Sequence, residues 1–375
     1  MGFDLDMIVG ELHAEATRRT GLTDFGPDTY RMPLAMLARH LGEESYTEIG
    51  RDVFREDLVV ALVGRLVREN AWARNPGYVE RSIVRPLVIC GIPRTGTTAL
   101  HKLLSVDPQF QGLDNWITSW PIPRPARTEW PQVQGFRDAQ ARLERLFELI
   151  PGLRISHEMV ADEVDECLQV LRLDFTSYFY PASYNVPDYF SWFQRQDETA
   201  CYQRLADTLR LVGLQDDRTW LLKNPGHLGQ LGPLLTAFPD ARVIITHRDP
   251  VKALPSLCSV LAGGRQLVFR EPDLCSMGPR EVAYWANAAQ SAKAVRARSN
   301  ASQFFDVDHR DFHSNPLGIV RNLYAQFELE LDPGVEQSMD RWLTANPAGK
   351  HGEHRYSLSD YGLSEGMIRD AFDET

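Results

Sequence analysis

The stretch that most constrains the fold is PLVICGIPRTGTTALHKLL, residues 86–104. Its short apolar run predicts a buried strand at 87–91, and the spacing that follows predicts a helix at 97–105. Between them, Gly91 and Gly96 keep the G-x-x-x-x-G spacing of loops that bind phosphate groups. Backbone N–H groups at such a junction point at an anion, aided by the positive end of the helix. The sequence therefore predicts an anion-binding loop at a sheet edge.

The same order of strand and helix recurs along the chain. The further predicted pairs are 219–224 with 228–237, 241–248 with 250–262, and 303–309 with 316–327. Such alternation predicts an α/β fold of three layers (α/β/α) around a central parallel sheet, as in P-loop proteins. Ligands of these sheets bind beyond the carboxyl ends of the strands.

The remaining segments are additions to this core. Residues 1–80 place apolar side chains at helical spacing, and an insertion at about 107–215 is rich in proline and aromatic residues before it turns helical. We therefore expect one domain over residues 1–375. It would have a helical N-terminal extension at 1–80 and a nucleotide-binding core at 85–365 that carries the insertion as a lid.

Composition limits the partners. The net charge of -11 and the pI near 5.4 argue against nucleic-acid binding, so any anion site must be built locally. No apolar run reaches the roughly 18 residues of a membrane span, and the acidic start lacks the apolar core of a secretory leader. Five dispersed cysteines without a C-x-x-C pair favour buried thiols in the cytoplasm. The sequence leaves open whether the chain forms a homodimer.

The loop lacks the lysine that a nucleoside-triphosphate loop carries after its second glycine. Thr97 stands there, and Arg94 is the only cation of the loop. In the strand RVIITHRD, His247 and Arg248 come before Asp249, where a kinase would hold magnesium with an acid. This indicates a second anion site and no metal. A P-loop small-molecule kinase and a non-catalytic nucleotide-binding protein remain alternatives.

The pairing of PRTGTT with the later HRDPVKALPS resembles the sulfotransferases that use 3'-phosphoadenylyl sulfate (PAPS) as sulfuryl donor. In that family the first loop holds the 5'-phosphosulfate, which the resemblance assigns to Arg94, Thr95, Gly96, Thr97 and Thr98. It assigns the 3'-phosphate to Arg248 and Ser256, whose spacing of eight residues matches the family. Arginine suits this task because its planar guanidinium binds phosphate with two parallel hydrogen bonds.

Two other segments are similar to the bacterial branch of that family. The first is TWLLKNPGHLGQLGPLLTAFPDARVIITHRDP, in which the resemblance places Lys223 at the 5' end of the donor or at the transferring sulfonate. The second is GKHGEHRYSLSDYGL, which resembles the segment that covers the nucleotide. It assigns Lys350, His351 and Gly352 to the 3'-phosphate, although His351 replaces the usual lysine.

In-line transfer of a sulfuryl group needs positioned partners and stabilised charge on the leaving oxygen. Arg94 takes this electrostatic role, and it cannot donate a proton because a guanidinium stays charged. A base must also remove the proton of the acceptor hydroxyl. His227 resembles the catalytic histidine of the animal cytosolic branch, although it follows Lys223 by four residues rather than two. Alternatively, it satisfies backbone groups near a helix start.

The rival base lies in the acidic segment SHEMVADEVDECLQVL, residues 156–171. We expect these acids at the start of a helix, with Asp162 and Glu166 on one face, and Glu163 as the candidate base. Because acids at a helix start also interact with its dipole, capping is the alternative explanation.

The aromatic run FTSYFYPASYNVPDYFSWF, 175–193, and the proline-rich WPIPRPARTEWP, 120–131, suit either a core or the wall of an apolar acceptor pocket. We expect half of the large aromatics in each place. The acceptor would be a hydroxyl on an apolar small molecule or lipid, and the sequence does not choose among phenol, sterol, polyketide, lipid and sugar.

Overall fold

A five-stranded sheet organises the part of the chain that carries the loop. The structure is a computed structural model that describes residues 4–149, 159–347 and 357–373. The strands are β1 (Leu87–Gly91), β2 (Phe110–Gln111), β3 (Thr219–Lys223), β4 (Arg242–His247) and β5 (Phe304–Asp308). They run parallel in the order β2-β3-β1-β4-β5. The predicted α/β fold with a central parallel sheet is confirmed.

Four of these strands lie within about one residue of their predicted bounds. All five residues of β1 are buried, as its apolar sequence predicts. The exception is β2, a strand of two residues that the sequence analysis missed, and which exists through its pairing with β3.

The helices are numbered along the chain. They are α1 (Leu5–Thr20), α2 (Arg31–Ala38), α3 (Glu48–Arg74), α4 (Thr97–Leu104), α5 (Asn115–Ser119), α6 (Gln134–Leu149), α7 (Leu168–Leu171), α8 (Phe179–Ser183), α9 (Pro187–Phe193), α10 (Thr199–Val212), α11 (Leu231–Ala237), α12 (Pro250–Val268), α13 (Leu274–Arg296), α14 (His309–Ser314), α15 (Pro316–Gln326), α16 (Pro333–Ala345) and α17 (Glu365–Asp373). In the described ranges, none of them offers an apolar stretch that could cross a membrane.

The chain forms two compact units. The helical unit comprises Met1–Ser82, Leu113–Asp217 and Gly263–Pro272, and the sheet unit comprises Ile83–Gly112, Arg218–Ala262 and Asp273–Thr375. Both are built from separate stretches of sequence, because the long insertion after β2 belongs to the helical unit.

The core of the sheet unit packs helices α4, α14, α15 and α16 against one face of the sheet. Leu87 and Ile89 of β1 point into this core, as do Leu221 and Ile244 from the neighbouring strands. Each such side chain contributes about 1.5–3 kcal/mol when it is fully buried. This packing fixes the strand ends from which the candidate site residues extend.

The helical unit contains a buried charge cluster centred on Asp174. The carboxylate accepts hydrogen bonds from Arg65 Nη1 at 2.6 Å, Arg68 Nη2 at 2.5 Å and Arg204 Nε at 2.7 Å. Burial by itself raises the pKa of Asp174, but Arg68 and Arg204 outweigh it and hold the pKa far below its usual range. Arg204 also pairs with Glu69. This cluster joins α3 and α10 to the turn before α8.

Candidate functional site

The loop after β1 begins at a glycine that no other residue can replace without a shift. Gly91 has φ of 145° and lies opposite Thr246 of β4. A Cβ on Gly91 would lie 2.4 Å from Thr246 Oγ1 and 2.5 Å from its carbonyl oxygen. Gly96, with φ of 96°, then caps the start of α4. Both glycines of the predicted loop are thus required by backbone geometry.

Thr95 is buried inside this loop rather than turned outward. Its Oγ1 donates to the carbonyl oxygen of Ile92 at 2.7 Å and lies 2.5 Å from Thr246 Oγ1. Any contact of Thr95 with an anion would therefore use its backbone N–H. Thr246 was not predicted as a site residue. Its position two residues before Arg248 could have indicated that it lies at the same end of the strand.

The two arginine-bearing turns meet in the sheet unit. Arg248 Nη1 donates to the carbonyl oxygen of Arg94 at 2.9 Å, and Arg94 Nε donates to Ser256 Oγ at 3.2 Å. Ser256 lies on α12 and is buried. The resemblance assigned Arg94 to one end of the donor and Arg248 and Ser256 to the other, and these residues are in direct contact. The side chain of Arg94 points toward Ser256.

A second cation reaches the loop from the neighbouring strand. Lys223 ends β3, is only 2% exposed, and its Nζ donates to Thr98 Oγ1 at 3.1 Å. Thr98 is exposed, whereas Thr97 is buried. Lys223 is therefore placed at the start of α4, where the N–H groups of the loop are directed.

His227 lies in the 3-10 helix Pro225–Gln230 that follows β3, and its side chain is fully buried. Burial lowers its pKa to about 3, so the imidazole is neutral at neutral pH. The cap of this helix is Asn224, whose side chain accepts from the N–H of Gly226 at 3.0 Å. The capping task considered for His227 thus falls to Asn224.

The sheet unit also brings His309 to the loop, which the sequence analysis did not single out. The Cδ2 atom of its ring lies 3.7 Å from the position of a Cβ on Gly96. His313 Nε2 lies 3.1 Å from His309 Nε2. A histidine pair four residues apart after a strand was the signal that could have found them.

Glu163 lies in the helical unit and is exposed. The prediction that its segment starts a helix is wrong: Val164 forms an antiparallel bridge with Asp114, and the carbonyl oxygen of Glu163 accepts from the N–H of Asn115 at 2.8 Å. Helix α7 begins only at Leu168. The backbone is held by a partner distant in sequence, which local helical spacing does not reveal.

The acids of this segment therefore do not share a helix face. Asp162 pairs with Arg127 at 2.7 Å, and Asp165 Oδ2 accepts from Asn115 Nδ2 at 2.5 Å. These partners hold a turn at 160–163, followed by the bridge at Val164, in place of a helix. Glu158 and His157 lie outside the described residues.

The aromatic run is mostly core of the helical unit. Six of its eight large aromatics from Tyr178 to Phe193 are buried, and Phe179 and Trp192 are partly exposed. More of them are core than the half that we expected: Tyr180 stacks on Phe175 with ring centroids 6.0 Å apart, and Tyr189 stacks on Phe193 at 6.2 Å. The pocket wall stays a prediction.

The C-terminal candidates Lys350, His351 and Gly352 lie outside the described residues. Across 4–149, 159–347 and 357–373, the acidic, histidine and cysteine side chains form no group of three that could hold a metal ion. Around the loop, the described residues offer backbone N–H groups, the hydroxyls of Thr98 and Ser256, the cations Arg94, Lys223 and Arg248, and the imidazole of His309.

Comparison with known proteins decides the family. The family model described as "Sulfotransferase family" matches residues 86–333, which is more than half of the chain. The chain belongs to the sulfotransferase family. The matched residues include both arginine-bearing turns, β3 and β5. The resemblance, and with it the prediction of an enzyme of the sulfotransferase kind, is confirmed at the level of the family.

Solved structures of this family share the fold. The crystal structure of sulfotransferase STF1 from Mycobacterium tuberculosis H37Rv superposes with a TM-score of 0.87 at 37% identity, over 98% of each chain. That of sulfotransferase STF9 from Mycobacterium avium gives a TM-score of 0.90 at 25% identity, over 100% of this chain and 97% of that one. These relatives fit the expected bacterial origin.

A curated relative shows what one family member acts on. Omega-hydroxy-beta-dihydromenaquinone-9 sulfotransferase Stf3 of Mycobacterium bovis is 26% identical over 65% of this chain. An equal match is found to the Stf3 protein of Mycobacterium tuberculosis strain CDC 1551 / Oshkosh. This chain spans 63% of the length of these relatives.

Proposed function

We propose that this member of the sulfotransferase family transfers the sulfuryl group of PAPS to a hydroxyl of an apolar, lipid-like acceptor. The observation that carries the proposal is the meeting of Arg94, Arg248 and Ser256 beside the glycine-framed loop after β1. The set offers donors and positive charge, which suits a ligand with two anionic ends.

The residues of the sheet unit fit such a donor. The loop N–H groups, Thr98 and Lys223 would hold its 5' end, and Arg248 and Ser256 its 3'-phosphate. Lys223 already lies at the loop through its bond to Thr98 at 3.1 Å. When bound, the donor supplies the sulfuryl group and a good leaving group.

Arg94 would stabilise the charge that develops on the leaving oxygen. Its Nε now donates to Ser256 Oγ, so the guanidinium must exchange this hydroxyl for an oxygen at the loop to act there. A neutral acceptor such as a hydroxyl holds a guanidinium less firmly than a carboxylate does. The hydrogen bond from Arg94 Nε to Ser256 Oγ is therefore one that an incoming anion can replace.

Two residues are proposed as alternatives for the base. His227 carries a neutral imidazole, and its pKa of about 3 means that it would not titrate between pH 5 and 8. Glu163 is an exposed carboxylate of the helical unit. In pH–rate profiles recorded down to about pH 3, His227→Ala and Glu163→Ala should differ in the acidic limb, and a kcat and a profile that neither change moves exclude both.

The acceptor class rests on the Stf3 relative, whose name gives a hydroxylated menaquinone derivative. We therefore propose a hydroxyl on a long apolar skeleton rather than a sugar. We also propose a cytoplasmic location, because all five cysteines are free and Cys90, Cys167 and Cys258 are buried thiols.

The test is transfer of radiolabelled sulfate from PAPS to hydroxylated quinones, sterols and phenols, with and without EDTA. We expect labelled product to form to the same extent with and without EDTA. Arg94→Ala should lower kcat by about 100-fold or more, whereas the control Arg341→Ala, an exposed arginine on α16, should not. Binding of adenosine 3',5'-bisphosphate without any product would indicate a non-catalytic protein. Transfer that needs a nucleoside triphosphate and a divalent metal would indicate a kinase.

A further inference from the structure

A histidine pair borders the loop outside the predicted site. His309 follows β5 directly and begins α14, and its ring is half-buried against Gly96 at 3.7 Å from the position of a Cβ there. His313, one turn later, places its Nε2 atom 3.1 Å from His309 Nε2. One ring nitrogen donates and the other accepts, so a single proton occupies this bond.

The groups around His309 are mostly cationic. Arg94 faces it from the loop, Arg248 from the turn after β4, and Asp308 and His313 from its own element. Burial first, and then Arg248, lower the pKa of His309 to about 4. The carboxylate of Asp308 opposes this only in part, since its Oδ1 also accepts from the N–H of Arg310 at 2.7 Å. His309 is therefore neutral at neutral pH while two guanidinium groups face it, and within the described residues Arg248 has no ion pair.

We propose that His309 belongs to the anion-binding surface and takes up a proton from solvent when the phosphate groups of a nucleotide bind. This rests on the proposed function, because it takes the ligand of Arg94 and Arg248 to be a nucleotide phosphate. Phosphate charge beside the arginines cancels the repulsion that keeps the imidazole neutral, and a nearby anion favours the charged form. The imidazolium then donates a hydrogen bond that the neutral pair cannot offer.

The sign of the pH dependence follows. Because binding raises the pKa of His309, the added affinity is complete at low pH and is lost as the pH rises through the pKa of the bound state. Nucleotide phosphates themselves titrate near pH 6, which adds a contribution of its own. A comparison of variants cancels that contribution, since it belongs to the ligand.

The experiment is calorimetric titration of adenosine 3',5'-bisphosphate at about pH 6, in two non-phosphate buffers of different ionisation enthalpy. The wild-type protein should take up about half a proton more per bound nucleotide than His309→Gln. The matched control is His247→Gln, an exposed histidine at the end of β4 whose Nε2 lies 2.7 Å from Asp306 Oδ1. Its proton uptake should equal that of the wild type.

Each other outcome counts against the proposal. Equal proton uptake by the wild type and His309→Gln overturns the proposal. A loss of proton uptake in His313→Gln but not in His309→Gln also overturns it, because the proton would then bind to the ring of His313. Absence of any binding by the wild type removes the proposed function as well. If His309→Gln does not fold, the NMR titration of the His309 ring in the wild type decides: a pKa that does not rise on adding the bisphosphate overturns the proposal.

Discussion

Two arginine clusters in this chain are held in opposite ways. In the helical unit, three arginines converge on the carboxylate of Asp174 at 2.5–2.7 Å. In the sheet unit, Arg248 donates to a carbonyl oxygen and Arg94 to a hydroxyl. Within the described residues, Arg248 has no ion pair. Arginines that converge on a carboxylate stabilise the fold, whereas the neutral oxygens that accept from Arg248 Nη1 and Arg94 Nε can be replaced by those of an incoming anion.

The comparison predicts the largest effect for Asp174→Ala. Removing the carboxylate leaves buried guanidinium groups without their shared partner, and the free energy of unfolding should fall by about 3–5 kcal/mol. Urea unfolding measures this. The control is Asp306→Ala, which removes a half-exposed carboxylate that pairs with His247 and Arg296 and should cost less than about 1 kcal/mol. Equal losses would show that the Asp174 cluster is not specially stabilising.

The same cluster sets a pH dependence. The arginines hold the pKa of Asp174 below that of the unfolded chain, so its contribution to stability is complete above about pH 4 and is lost as the pH falls further. Asp174→Ala should lack this part of the acid sensitivity.

Glu198 is a second buried acid of the helical unit, and no arginine contributes to its pKa shift as three do for Asp174. Burial first, and then Asp197, raise its pKa to about 8. The folded state thus keeps a proton that the unfolded state loses near pH 4, and stability should fall as the pH rises from about 4 to 8. Glu198→Gln should flatten this decline by about 2–4 kcal/mol between pH 5 and 8, as read from urea unfolding. An unchanged slope would contradict the assignment.

Arg248→Ala tests the sheet-unit side of the comparison. Affinity for adenosine 3',5'-bisphosphate should fall by about 30–100-fold, because a hydrogen-bonded charge contributes about 2–3 kcal/mol. Adenosine 5'-phosphate should lose far less, and stability should change by less than about 1 kcal/mol. Calorimetry gives both affinities. An equal loss for the two nucleotides would remove Arg248 from the 3' end.

The smallest effect is expected for Ser256→Ala. The hydroxyl contributes one hydrogen bond, so affinity for the bisphosphate should fall by about 3–10-fold. Ser338→Ala, which removes an exposed hydroxyl on α16, serves as the control and should bind as the wild type does. No loss in Ser256→Ala would limit this hydroxyl to holding Arg94.

The sequence predicted those features that local chemistry determines. β1 and β4 follow from short buried apolar runs, and the loop follows from two glycines at a fixed spacing. The positions of Arg248 and Ser256 on one edge follow from their places after a strand and in the next helix. The short strand β2 was missed because two residues carry no periodicity and acquire strand geometry only by pairing with β3.

What the sequence did not predict depends on contacts between distant segments. The non-helical form of the Glu163 segment requires Leu113 and Asn115, about 50 residues earlier, whose backbones bond to it. The contact between Arg94 and Ser256 joins side chains 162 residues apart. Likewise, the burial of His227 depends on packing that no local motif records.

The close approach of Gly91 to Thr246 has a consequence for ligand discrimination. With 2.4 Å between a would-be Cβ and the threonine oxygen, no side chain fits at position 91, and the register of β1 on β4 sets the interval between the turns that these strands carry. A mononucleotide that fills one turn cannot draw the other one nearer. The sheet therefore sets which ligand length is selected, and mutations in the loops alone should not change that length.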